Sequence, residues 1–138
     1  MPQEGGAPRV LLVEDEAIIA LEERRSLESD GYTVVTAGSG ERAVETVQGD
    51  PEIDIILMDI NLGNGIDGTE AGRRILADRE VPIVFLSSHR DKEVVARTEA
   101  ITSYGYIVKG TGPTILDNGI KMALRLYSAR MEERRKEL

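Results

Sequence analysis

The chain has 138 residues, 41 % of them apolar and 30 % charged, which suits one domain with a buried core. Its 17 basic and 25 acidic residues leave a net charge of −8, a poor match to nucleic-acid phosphates, and no apolar run nears the length of a membrane span. Cysteine is absent, which excludes disulfides and thiolate metal sites.

The opening MPQEGGAPR lacks the basic and apolar regions of a signal peptide and reads as a loose tail over residues 1–8. Short apolar runs follow at Val10–Val13, Ile53–Met58, Val81–Leu86 and Tyr106–Val108, with a more alternating run at Tyr32–Ala37. Such runs are typical of strands covered on both faces. The stretches between them carry helical spacing: Ala17, Ala20, Leu21 and Leu27, then Ala43, Val44 and Val47, then Ala71, Ile75 and Leu76. Asp30–Gly31 closes the first helix, and Ser39 and Thr69 are candidate starts for the second and third. In chain order the expectation is strand 10–14, helix 17–29, strand 32–36, helix 40–48, strand 53–59, helix 68–78, strand 82–87, helix 91–101, strand 105–109 and helix 113–128. Five β-α units predict an α/β fold, a doubly wound parallel sheet with helices on both faces, spanning 9–128. Ligands of such sheets bind beyond the carboxyl ends of the strands.

Those ends are polar. Glu14, Asp15 and Glu16 follow the first strand, Asp59 and then Asn61 the third, Ser87 and Ser88 the fourth, and Lys109 the fifth. Singly, each has an ordinary explanation as a solvated helix start, a cap or a surface charge. In a flavodoxin-like order, 2-1-3-4-5, they would instead share one pocket. Carboxylates gathered there repel one another unless a cation sits among them. Oxygen-only ligands favour Mg²⁺ over Zn²⁺, and a lysine and a serine beside them suit an anion. A carboxylate nucleophile, a divalent cation and a lysine together suit phosphoryl transfer.

The segments LLVEDE, ILMDINL, VFLSS and GYIVK resemble the receiver domains of response regulators in two-component signalling, over roughly residues 9–128. The resemblance implies that Asp59 is the phosphoacceptor, charged by the phosphohistidine of a histidine kinase or phosphotransfer protein in the cytoplasm. It implies that Asp15 and Asp59 ligate Mg²⁺, with Asn61 through its backbone carbonyl and Glu14 through water. Ser87 matches the hydroxyl that bonds a phosphoryl oxygen, and Lys109 the lysine that pairs with that group. Tyr106 matches the aromatic switch, its ordinary alternative being an edge-strand aromatic packed on helices. His89 reads first as a solvated loop residue and otherwise as a tuner of dephosphorylation. The expected output is a protein-interaction surface, not multiple turnover of small molecules.

Three features depart from the family's pattern: Gly110 stands where proline is usual after the lysine, the loop after Asp59 (INLGNGIDG) is glycine-rich, and Glu14 replaces the more usual Asp. A seam of Ile120, Leu124, Tyr127, Met131 and Leu138 runs through the last helix, broken by Arg134. Residues 129–138 are then a solvated helical tail, or a linker entering a homodimer or a covalently linked sensor or kinase domain; the segment from YGYIVKGTG to IKMALRLY resembles receivers joined to such modules. Rival readings are a Mg²⁺-dependent phosphatase of the haloacid dehalogenase type, a flavodoxin-like binder, and a pseudo-receiver that signals by contact alone. The first needs an acid where Asn61 stands, the second a hydroxyl-rich loop where Glu14 to Glu16 stand. The third would lack an acid or the lysine.

Overall fold

The fold comes from a computed structural model that describes residues 6–88, 92–101 and 104–137, the side chains of 92–95 excepted. His89, Leu138 and most of the N-terminal tail lie outside the described residues. The elements are β1 (Arg9–Val13), α1 (Ala17–Ser29), β2 (Thr33–Ala37), α2 (Gly40–Gly49), β3 (Ile55–Asp59), α3 (Gly68–Asp78), β4 (Ile83–Ser87), α4 (Lys92–Ile101), β5 (Tyr106–Val108) and α5 (Pro113–Glu137). All strand pairs are parallel, in the expected order β2-β1-β3-β4-β5.

Period-2 alternation divides the strand residues between two apolar layers. Leu11, Val13, Ile56, Met58, Ile83 and Phe85 face α2 and α3, against Ala43, Val47, Ala71 and Ile75. Val10, Leu12, Ile55, Leu57, Val84 and Leu86 face α1 and α5, against Leu27, Leu116, Ile120 and Ala123. With both faces covered, a charged group finds water chiefly at the strand ends.

Local signals act mostly as the sequence suggests. Ser39 caps α2, its hydroxyl accepting from the Arg42 amide at 3.1 Å. The start of α3 differs: Asp67, not Thr69, is the cap, its carboxylate accepting from the Glu70 amide at 2.9 Å and the Thr69 hydroxyl at 2.7 Å. A carboxylate placed before the first turn reaches the free amides and suits the helix dipole, so Thr69 is left to orient it. Strand β3 begins at Ile55, later than expected, because Asp54 turns its carboxylate onto the Arg9 amide at 2.8 Å.

At the opposite end of the sheet from the polar residues, Arg79 gathers the α2–β3 turn. Its guanidinium donates to the carbonyls of Val47, Asp50, Pro51 and Ile53 at 3.2, 2.8, 3.0 and 2.6 Å. Arg79→Ala strands four acceptors and should cost about 2 kcal/mol in urea unfolding. Arg79→Lys should recover only part of that loss, since an ammonium lacks the planar fork.

Helix α5 continues unbroken past residue 128, and its outer turns are tied back to the body. The Tyr127 hydroxyl donates to the Glu80 carbonyl at 3.2 Å, and Arg134 pairs with the Glu80 carboxylate. Arg130 lies over the Tyr104 ring, 4.8 Å from its centroid, and that ring meets Tyr127 at 6.0 Å. Among the described residues no helix is long and apolar enough to cross a membrane.

Candidate functional site

Register brings the polar strand ends together. Val13 pairs with Met58, so Glu14 stands abreast of Asp59; Ser87 pairs with Val108, so Lys109 follows at the same level. The backbone holds these positions: the Glu14 amide donates to Ala37, the Ile60 amide to Leu86, and the Lys109 amide to the Ser87 carbonyl at 2.8 Å.

Glu14, Asp15 and Asp59 each offer a carboxylate oxygen within 4.8 Å of the others. Glu14 and Asp59 are only 4 % and 3 % exposed, while Asp15 opens to solvent. Two buried carboxylates side by side need a cation. Lys109 supplies one, its Nζ donating to Glu14 Oε1 at 2.6 Å and Asp59 Oδ2 at 2.9 Å. Burial alone would lower the pKa of this ammonium; the hydrogen bonds to Glu14 and Asp59 outweigh burial and raise it. The Asn61 amide donates to Asp59 Oδ1 at 3.0 Å, which fixes the carboxylate's orientation.

The other expected residues fall around this cluster. Ser87 is buried, 1 % exposed, at the end of β4 next to Lys109, and Tyr106 is half-buried on β5 against the α2/α3-side core. Nothing is seen of His89, which lies outside the described residues. The glycine-rich loop is fastened on one side: Glu41 of α2 accepts from the Ile66 amide at 3.0 Å. That bond holds the Glu41 carboxyl below its ordinary range. Gly63 stands at φ +46°, where a Cβ would come within 2.7 Å of Asp15 Oδ2, so glycine is what lets the loop pass this acid. The Lys109–Gly110 peptide is trans and Gly110 stands at φ +82°, a value closed to proline.

The donor set fits a hard divalent ion. Three carboxylates converge with neither nitrogen nor sulfur among them, and Mg²⁺ favours such oxygen ligands. Glu23 of α1 is a residue that sequence reasoning missed; it lines a pocket with Lys109. Its spacing of four from the core residue Leu27 was the available signal.

The family model described as the response regulator receiver domain matches residues 10–121. The chain belongs to the response regulator receiver family. This receiver is 32 % identical over 120 residues to the transcriptional regulatory protein PdtaR of Mycobacterium tuberculosis, covering 86 % of this chain and 58 % of that protein. The receiver spans about half the length of the curated relatives it matches. Among solved structures it resembles the N-terminal domain of a response regulator/sensory box/GGDEF three-domain protein from Carboxydothermus hydrogenoformans. That likeness has a TM-score of 0.82 at 41 % identity, covering 89 % of this chain and 98 % of the other. It also resembles the signal receiver domain of a modulated diguanylate cyclase from Desulfovibrio desulfuricans, with a TM-score of 0.81 at 34 % identity, covering 90 % and 98 % of the two chains.

Proposed function

We propose that this receiver accepts a phosphoryl group onto Asp59 from the phosphohistidine of a histidine kinase or phosphotransfer protein. The observation that carries the proposal is the meeting of Glu14, Asp15 and Asp59 within 4.8 Å, with Lys109 bonded to two of them. Asp15, Asp59 and the Asn61 carbonyl would hold Mg²⁺, with Glu14 acting through water. The ion supplies charge neutralisation between carboxylates and phosphoryl oxygens.

An Asp59 oxygen attacks phosphorus in line. The O–P bond forms as the N–P bond breaks, and its electron pair returns to the imidazole nitrogen. Lys109 pairs with a phosphoryl oxygen and the Ser87 hydroxyl bonds another, drawing Tyr106 inward as the switch. Water later cleaves the acyl phosphate, releasing phosphate and restoring Asp59.

The output is a change of protein-interaction surface. A net charge of −8 argues against nucleic-acid contact by this domain itself, although the curated relatives are named transcriptional regulators and extend well beyond the matched region. Both solved neighbours are described as parts of larger signalling proteins, which supports α5 as a connector to a linked module.

Acetyl phosphate with Mg²⁺ should give one phosphoryl adduct by intact-mass measurement, removed by hydroxylamine and absent in Asp59→Asn. An adduct that survives the substitution would sink the assignment. Steady turnover of small phosphate esters would favour a phosphatase instead.

A further inference from the structure

Helix α1 turns an acid toward the core. Glu23 stands one turn before Leu27, which is buried, and its Oε1 has lost contact with water without gaining a hydrogen-bond partner. It borders a pocket of about 200 Å³ between α1 and the β5–α5 turn, lined also by Ser26, Leu86, Val108, Lys109 and Leu116. The charges that face it are Lys109 from the β5–α5 turn, Glu14 from the end of β1, Asp59 from the end of β3, and Glu22 from its own helix.

An orphaned carboxylate oxygen in a largely apolar pocket favours the protonated acid. Burial pushes Glu23 up from 4.5 to about 7; Lys109 opposes the rise, and Glu14 and Asp59 add to it. The last two are the carboxylates that a divalent cation would neutralise.

We propose that Glu23 is a positioning residue of the acidic site, a proton-exchanging carboxyl behind Lys109 whose ionisation is linked to cation occupancy of Glu14, Asp15 and Asp59. The proposal rests on the reading of that cluster as a Mg²⁺ site. A cation there quenches the repulsion that Glu23 feels and releases its proton. By reciprocity, an ionised Glu23 strengthens the field that holds the cation. Glu23 and Lys109 line one pocket, so the carboxylate attracts that ammonium and offsets the cation's repulsion of it.

Two metal-free readouts come first. Carboxyl-detected NMR, with Glu23→Gln for assignment, should place the midpoint of Glu23 near 7 rather than 4.5. Because the folded value lies above the unfolded one, Glu23 contributes stability below about 4.5 that is lost as pH rises toward 7, and Glu23→Gln should remove that slope. Calorimetric Mg²⁺ titrations at pH 6 and pH 8 should then show wild-type affinity tightening about three- to tenfold more than that of Glu23→Gln. Glu23→Leu, suited to the apolar pocket, should behave like Glu23→Gln and guards against a folding defect in one variant. A midpoint near 4.5, or equal pH dependence in wild type and variants, overturns the role of Glu23 alone. Failure of Mg²⁺ to bind any of the three proteins overturns the metal reading as well, and no phosphoryl donor enters any of these measurements.

Discussion

Gly68→Ala should lower stability by at least about 3 kcal/mol in urea unfolding followed by circular dichroism. A Cβ at residue 68 would lie 2.1 Å from the Asp59 carbonyl oxygen and 2.9 Å from the Ile60 Cα. Both obstacles are backbone, so no side-chain rotation relieves them. The approach is enforced by the Gly68 amide, which donates to the Ile60 carbonyl at 2.9 Å. Helix α3 must therefore draw away from the strand that carries Asp59, losing that bond and the packing of Ala71 and Ile75. Mg²⁺ affinity should fall together with stability. A loss below about 1 kcal/mol would mean that the helix start yields easily, contrary to this account.

Lys109→Met has the second large effect, and its signature is dependence on a cation. The ammonium lies 2.6 Å from Glu14 and 2.9 Å from Asp59, whose side chains are almost wholly buried. Removing one partner of a buried ion cluster leaves like charges without compensation, which typically costs about 3 kcal/mol. Saturating Mg²⁺ should restore more stability to the variant than it adds to wild type, because the ion then replaces the missing charge. Equal stabilisation of the two proteins by Mg²⁺ would contradict the picture.

The sheet and its polar rim could be read from the sequence because each depends on a local pattern. Apolar runs such as Ile55–Met58, alternating with stretches of helical spacing, read as strands buried on both faces, and the first polar residue after each run emerges at the strand end. Asp59 and Lys109 were found in that way. What escaped depends on contacts across the fold. Glu23 sits in a charged stretch, LEERR, and nothing local reveals that the β5–α5 turn closes over it. Arg79 looks like any helix-ending base until four carbonyls from another segment meet it. Asp67 outcompeted Thr69 as the cap because a carboxylate one residue before the helix reaches more of the first-turn amides. The helical continuation through residues 129–138 was legible, but not its anchoring, since the contacts that secure its outer turns come from residues 80 and 104.

Those anchors give α5 a mechanical character. Glu80 immediately precedes Val81 at the approach to β4, and Tyr104 lies two residues ahead of Tyr106, so the helix is pinned to the end of the sheet far from the carboxylates. A displacement of β5 relative to β4 would pull on α5 through Tyr104 while Glu80 holds it, a load that would turn the helix. A segment helically continuous with α5 would inherit that turn together with a definite angular phase. One inserted residue would advance the phase by about 100° and the reach by about 1.5 Å, so such a junction is sensitive to length as a gear train is to its tooth count.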